Sequence, residues 1–270
     1  MMDFKFKKYW LIAKINLELI TQSPLLIKSG MEELSPSKSD SRFMRDVYGN
    51  PVIPGSTFKG FFRGNLLRLE DYFKEELING TFGSEDPQTR KKFASNLFFS
   101  DFLPSDRSSI LFENRPQIKI NRKTLSTERG ALLSLETLSK GAIFGGHIIA
   151  RNCSIQQFAL IYAVIFLANK KLIRIGFNKT RGFGQIKLNV KSIEFQLFNQ
   201  KYFKIELNHA NNSLDVFQDG NKVLSIAMNE EIIKEQILIK EDILALNVLL
   251  ESDPAFKFLE AALKSYLKNK

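Results

Sequence analysis

Cysteine and histidine are the residue types that this 270-residue chain has least of, together with a single tryptophan. Cys153 is the only cysteine, which excludes an intramolecular disulfide and a cysteine-rich zinc module. The two histidines, His147 and His209, lie far apart in the sequence. A ribonuclease built on a histidine pair, or a metal site made mainly of histidine, is therefore not expected.

Long apolar runs are also missing. The longest, residues 158–168, is too short to cross a bilayer, and the first eight residues lack the apolar segment of a secretory signal. The sequence therefore predicts a soluble, cytoplasmic protein with no membrane partner.

Apolar residues and positive charge are what the chain has in abundance. Apolar residues make up 44% of it, with 24 phenylalanines, which excludes intrinsic disorder of the whole chain. Lysine and arginine number 39 against 29 acidic residues, a formal net charge of +10. Such a surplus favours a polyanionic partner, although a solvated basic surface would give the same count.

The order of predicted elements indicates an α+β fold. Strands are predicted at 9–20, 96–103, 117–120, 141–150 and 185–197, and helices at 57–73 and 154–171. A long polar loop, 21–50, follows the first strand, and a polar excursion, 121–140, interrupts the later ones. This order fits a ferredoxin-like core over residues 1–198 with insertions. Residues 199–270 are predicted to form a C-terminal appendage.

The first informative motif is the segment Pro54–Arg63, where a glycine turn enters a helix. The free amides at a helix start favour a phosphate, and Gly55, Ser56 and Thr57 occupy that start. Lys59 and Arg63 are four residues apart and so share one helix face. The alternative is an ordinary capped surface helix.

The second motif is the turn Gly176–Gly184. Lys179 and Arg181 supply positive charge for phosphates, and Gly182 lets a backbone approach a ligand closely. On spacing alone, an ordinary glycine turn with basic residues remains the alternative.

Together the two motifs resemble the RAMP superfamily, and within it the repeated backbone subunit of type III CRISPR effector complexes. The likeness spans roughly residues 9–195 and is carried by the pattern PxIPGSxxKGxxR, the late RGFG turn and the FGS element at 82–84. It implies a modified ferredoxin-like (RRM-like) core whose glycine segments cradle guide RNA. It also implies target RNA and other Cas subunits as partners, including a large polymerase-like subunit. The late turn departs from the family in having Phe177, Asn178 and Lys179 where more glycines are usual.

The resemblance gives the loop 21–50 a catalytic role. In backbone subunits that cut target RNA, an aspartate lies in this loop, six residues before a second one, and Asp40 and Asp46 have that spacing. It implies that Asp40 is catalytic, that Arg45 contacts RNA, and that Mg²⁺ or another divalent cation takes part, with no metal ligands assigned. A solvated loop acid is the alternative for Asp40, and Asp46 is expected to brace the loop.

The excursion 121–140 resembles the family's thumb hairpin, which splays base pairs of the guide–target duplex. Arg122 and Lys123 are expected to hold phosphates there, the alternative being a charged surface loop.

Three functions stay open at this point. The chain cleaves target RNA as part of the complex, or it is a structural RNA-binding subunit of the same complex, or it is a stand-alone ribonuclease that processes guide RNA. The terminal helix, with Phe256, Leu259 and Leu263 on one face, is expected to dock on a neighbouring protein.

Overall fold

The computed structural model describes residues 8–29, 41–85, 92–120, 123 and 126–268. Asp40 and Arg122 lie outside these ranges. The helices are α1 (Gly55–Leu66), α2 (Glu75–Phe82), α3 (Ile155–Asn169), α4 (Glu230–Gln236) and α5 (Ser252–Lys268). The strands are β1 (Leu11–Thr21), β2 (Ser84–Glu85), β3 (Lys92–Phe93), β4 (Leu97–Phe99), β5 (Leu103–Pro104), β6 (Phe112–Ile120), β7 (Thr127–Leu138), β8 (Ile143–Arg151), β9 (Ile186–Leu197), β10 (Phe203–Asn208), β11 (Ser213–Gln218), β12 (Asn221–Ala227), β13 (Ile237–Glu241) and β14 (Leu246–Glu251).

A seven-stranded sheet forms the centre of the molecule, in the order β13-β14-β9-β1-β8-β4, with β5 also paired to β8. Strand β1 lies in the middle of the sheet. Buried and half-buried side chains alternate strictly along it, so that one of its two faces is fully packed. Its neighbours β8 and β9 both run antiparallel to it. The mixed α/β architecture with a sheet-dominated core agrees with the predicted α+β class.

Helix α3 lies over the buried face of the sheet. Its sequence is apolar on nearly all sides, as expected of a helix enclosed between a sheet and other helices. A capping box, in which the Ser154 amide donates to the Gln157 side chain at 3.0 Å, is present at its start. Cys153, just before it, is buried in the core.

The segment 199–270, predicted as a C-terminal appendage, forms a separate three-stranded sheet in the order β10-β11-β12 and also extends the core. Strand β14 pairs with β9 and so widens the main sheet. Helix α5 packs on α3, and the ring of Phe258 lies 5.3 Å from that of Phe158 and 5.1 Å from that of Phe195. The sequence did not indicate this pairing and packing, because β13 and β14 are short and the apolar residues around them follow no clear period.

The buried face of α5 is therefore not free for a partner. It consists of Pro254, Ala255, Phe258, Leu259 and Ala262. The expectation that Phe256, Leu259 and Leu263 await a neighbouring protein is corrected, because Leu259 is fully buried within the chain.

Two further expectations differ from the structure. The helix expected over 57–73 ends at Leu66, passes through a 3₁₀ turn at Leu67–Leu69, and is followed by α2, which the sequence did not suggest. The excursion expected at 121–140 belongs to a longer hairpin, β6–β7, whose first strand begins at Phe112. Within the described ranges, no helix is long and apolar enough to span a membrane.

Candidate nucleic-acid interface

The start of α1 is held by the edge of the sheet. The amide of Gly55 donates a 2.8 Å hydrogen bond to a carboxylate oxygen of Asp101, and no side chain of the helix itself caps the N-terminus. A Cβ at Gly55 would lie inside van der Waals contact with the Phe99 carbonyl. The glycine is thus required by the protein's own backbone. Ser56 is exposed and Thr57 half-buried.

Lys59 and Arg63 form a like-charged pair on the outer side of α1. Burial and the neighbouring guanidinium of Arg63 both lower the pKa of Lys59. Arg63 donates to Asn79 at 3.1 Å, and its Nε is buried without an acceptor. Among the described residues, neither cation forms an ion pair with an acid. Two adjacent cations without a counter-ion favour the binding of an anion.

The glycine turn presents a second cationic surface. Asn178 and Gly182 both adopt the left-handed conformation, with φ of 62° and 90°, and bracket a 3₁₀ turn at Lys179–Arg181. The side chains of Lys179 and Arg181 are exposed, and the space around Gly182 is open. Asn178, where the family usually has glycine, adopts φ > 0 with little strain for a non-glycine residue.

A ladder of backbone hydrogen bonds connects the two motifs. The donor amides and acceptor carbonyls are Phe177 to Leu26 (2.8 Å), Met44 to Ile27 (2.8 Å) and Val52 to Met44 (2.9 Å). At the usual strand spacing, the glycine turn lies on the order of 14 Å from the segment that leads into α1. The described parts of loop 21–50 are therefore ordered by pairing, which a polar, aperiodic sequence did not indicate.

The β6–β7 hairpin closes one side of this surface. Arg181 donates to Gln117 of β6 at 2.8 Å. Lys123 lies exposed near the hairpin tip, whereas Arg122 falls outside the described residues. The hairpin therefore lies beside the glycine turn.

Arg45 is engaged by the same hairpin. It forms an ion pair with Glu136 of β7, donates to the Gly49 carbonyl at 3.0 Å, and lies 4.0 Å from the Phe112 ring centroid. These contacts anchor the second half of the loop to the hairpin. Arg45, predicted to contact RNA, thus has partners within the chain.

Asp46 braces the loop as predicted. Its carboxylate accepts hydrogen bonds from the amides of Tyr48 and Asn50 and from the Asn50 side chain, at 2.8–3.0 Å. The hydrogen bond from the Asn50 side chain is the largest cause of the lowered pKa of the Asp46 carboxyl. Six residues earlier, Asp40 lies outside the described residues.

Several residues of this surface were not predicted. Asp101 caps α1, Asn79 orients Arg63, and Gln117 orients Arg181. The ammonium of Lys28 lies 3.7 Å from the Phe177 ring centroid. Each acts across an element boundary, so no local sequence pattern could have identified it.

The family model described as the RAMP superfamily matches residues 18–187, more than half of the chain. A relative, the CRISPR system Cms endoribonuclease Csm3 of Methanocaldococcus jannaschii, is 23% identical over 195 residues, covering 63% of this chain and 78% of that protein.

The fold is similar to chains in solved CRISPR assemblies. A chain of the apo type III-B Cmr-beta complex matches with a TM-score of 0.52 and 15% identity, over 66% of this chain and 96% of that one. A chain of the same complex bound to cognate target RNA gives 0.51 and 16%, over 65% and 96%. A chain of a type IV-B CRISPR complex gives 0.50 and 17%, over 66% and 90%.

Proposed function

Because the chain belongs to the RAMP superfamily, we propose that it is a guide-RNA-binding backbone subunit of a type III CRISPR effector complex that cleaves complementary target RNA. The observation that carries the proposal is the hydrogen-bonded ladder, which joins the cationic glycine turn to the segment entering α1. The relative named an endoribonuclease and the fold's likeness to chains of Cmr complexes support the same assignment.

Guide RNA would be held through its phosphates. Lys59 and Arg63 on α1, and Lys179 and Arg181 in the glycine turn, offer charge, while Ser56, Thr57 and Gly182 offer exposed polar groups or open backbone. Contacts of this kind fix the register of the strand and are blind to base identity. The bound guide would then pair with target RNA, and Lys123 on the hairpin would lie against the duplex.

Target cleavage would occur at the loop that contains Asp40. In this chemistry the 2′-oxygen of the target attacks the adjacent phosphorus, and the bond from phosphorus to the 5′-oxygen of the next nucleotide breaks. The 2′-hydroxyl loses its proton, and the departing 5′-oxygen gains a proton. An ordinary aspartate has a pKa near 4 and is a weak base, so Asp40 would act mainly by positioning. The hairpin beside the loop would hold the nucleotide out of A-form geometry.

A divalent ion has no ligand set among the residues that the structure describes. No group of three His, Cys, Asp or Glu side chains occurs there, and the Asp46 carboxylate is committed to the turn at Asn50. No step is therefore assigned to a metal, and a requirement for Mg²⁺ stays a prediction that chelation would test.

Charge reversal in the assembled complex tests guide binding. Lys59→Glu and Lys179→Glu should each weaken guide binding, and each variant should do so by the same factor for guides of unrelated sequence. Both should also reduce the salt dependence of binding, because each removes a phosphate contact. Lys234→Glu, an exposed lysine on α4 with the same change of charge, is the matched control. Measurement is by filter binding over a range of salt concentrations.

Loss of affinity for one guide sequence but not another would contradict phosphate recognition. Equal losses in all three variants would mean that net charge, and not this surface, determines binding.

A further inference from the structure

One aromatic ring stands exposed in the cationic glycine turn. Phe177 is 37% exposed, whereas Phe183, the other phenylalanine of the turn, is buried. The late turn of the superfamily usually has more glycines here, so this ring belongs to the chain and not to the shared motif. A single exposed phenylalanine on an ordinary surface would need no explanation. This one is distinguished by what holds it and by the charge beside it.

The backbone that carries the ring is tied to the rest of the protein. The amide of Phe177 donates to the Leu26 carbonyl at 2.8 Å, and that of Gly184 donates to the Pro24 carbonyl at 2.8 Å. A Cβ added at Gly176 would lie 2.5 Å from the Leu26 oxygen, so the turn fits this closely only because that residue is glycine. The ring is thus presented from a fixed turn, which lowers the entropy lost when a ligand binds.

Cations accompany the ring. The Lys28 ammonium lies 3.7 Å from its centroid, within the range of a cation–π interaction. Lys179 and Arg181, both exposed, follow Phe177 within four residues of chain. Across the described residues, none of these three cations forms an ion pair with an acid. Residues 137–193 of the sequence contain no aspartate or glutamate, so nearby acids in the chain do not offset this charge.

We infer that Phe177 stacks on a base of the guide RNA while the cations beside it hold phosphates of the same strand; the inference rests on the proposed function. A positive groove combined with an aromatic side chain is typical of sites for single-stranded nucleic acid. Because every base has a π face, such stacking requires a base but not a particular one. Phe177 therefore adds to phosphate recognition without making the site sequence-specific.

An acidic peptide fits this surface less well than RNA. The ladder of backbone hydrogen bonds places the glycine turn on the order of 14 Å from the segment that leads into α1, where Lys59 and Arg63 form the second cationic surface. A nucleic-acid strand carries a phosphate at every nucleotide and meets both surfaces without further requirement. A peptide would need acidic side chains at matching intervals and an aromatic or apolar group opposite Phe177.

Guide binding by the assembled complex tests the inference with two oligomers of equal length. One is RNA, and the other has the same phosphoribose backbone without bases, so it keeps the phosphates and cannot stack. In filter binding at low salt, Phe177→Leu should weaken binding of the RNA about fivefold or more and leave binding of the abasic oligomer unchanged. Phe177→Trp, which keeps a stacking ring, should bind the RNA as tightly as the unaltered complex. Lys179→Glu should weaken binding of both oligomers.

Phe166→Leu is the matched control. Phe166 is 42% exposed, and the Lys170 ammonium lies 5.7 Å from its ring centroid, so it also combines an exposed ring with a lysine. It lies on α3 beside Tyr162, whose ring centroid is 5.3 Å from that of Phe256 in α5. This side of α3 faces α5 and is not part of the cationic surface. The control variant should bind both oligomers as the unaltered complex does.

Equal weakening of both oligomers by Phe177→Leu would mean that the ring only braces the turn, and no change in either would mean that it contacts no base. Each result would overturn the inference, as would the same losses in Phe166→Leu. Loss of another polypeptide from the Phe177→Leu complex with guide binding intact would also overturn it, in favour of a peptide. In all these cases the unaltered complex binds guide RNA and the proposed function stands. An unaltered complex that binds neither oligomer would contradict the proposed function, and the inference with it.

Discussion

The amide of Ser41 donates a hydrogen bond to the Ser134 carbonyl at 3.3 Å, and its carbonyl accepts one from the Glu136 amide at 2.9 Å. The residue that follows Asp40 in the chain is therefore fixed to strand β7. Ser29, on the other flank of residues 30–40, pairs with Arg42 at 3.4 Å. Both flanks of the segment are thus held side by side next to the hairpin.

We predict that Asp40→Ala abolishes target cleavage without weakening guide binding. The expected loss is roughly 100-fold or more, because a group that positions the reaction contributes at least this much. Single-turnover cleavage of guide-complementary RNA by the assembled complex measures it, with the exposed Glu235→Ala as control. A target with a 2′-deoxy substitution at the cleaved nucleotide should also resist the unaltered complex. Full-rate cutting by Asp40→Ala would instead make the chain a structural subunit.

Arg45 and Glu136 should behave as one unit. If their ion pair anchors the loop, Arg45→Ala, Glu136→Ala and the double variant should slow cleavage by similar amounts, with a coupling of about 1 kcal/mol or less. Guide affinity should change little in all three. Weaker guide binding in Arg45→Ala alone would show that Arg45 contacts RNA, as the sequence suggested.

Two glycines of α1 should respond to alanine in opposite directions. Gly55→Ala should destabilise the fold, because the new methyl group would meet the Phe99 carbonyl. Gly60→Ala should stabilise the fold by about 0.5–1 kcal/mol. Gly60 is exposed within the helix, and a Cβ added there would have no atom within 4 Å. Thermal unfolding measures both. A lower melting temperature for Gly60→Ala would contradict this account of the helix.

Asp215, in strand β11, should make the three-stranded sheet β10-β11-β12 sensitive to acid. Burial raises the pKa of its carboxyl, but hydrogen bonds, the largest from Lys222 and the next from Ser225, lower it to about 2. A depressed aspartate pKa stabilises the fold at neutral pH, and that stability is lost as the pH falls from about 4 toward 2. Asp215→Ala should cost about 2–3 kcal/mol at pH 7, since it leaves Lys222 and two hydroxyls unpaired.

Chemical denaturation at pH 7 and pH 3 measures this effect. The loss caused by Asp215→Ala should shrink at pH 3, and Asp219→Ala, in the exposed turn after β11, is measured beside it as the control. An equal loss at both pH values would contradict the assigned role of the charge.

The sequence predicted what local periodicity determines. Strand β1, helix α3 and strand β9 were located within two residues of their ends, because alternation and a capping box are local signals. The FGS element could be recognised but not helix α2 before it, since Lys74–Phe82 is short and only partly apolar. The pairing of β14 with β9 depends on a partner fifty residues away, which no single segment encodes.

The site divides in the same way. Lys59, Arg63, Lys179 and Arg181 were proposed from the sequence because each stands in a motif. The contacts that orient them, through Asn79 and Gln117, come from elements that fold next to the motifs. Asp46, expected from the family resemblance to brace the loop, does so through hydrogen bonds from Asn50, which the resemblance did not indicate.

The central position of β1 has a consequence for how the chain is made. Both of its neighbours come late in the sequence: Ile12 lies opposite Arg151 on one side and Gln196 on the other. During synthesis the central strand of the sheet must wait for some 180 further residues before both of its edges are paired. Such non-local pairing slows folding and exposes strand edges meanwhile. A nascent chain shorter than about 200 residues therefore still has an unpaired edge on its central strand.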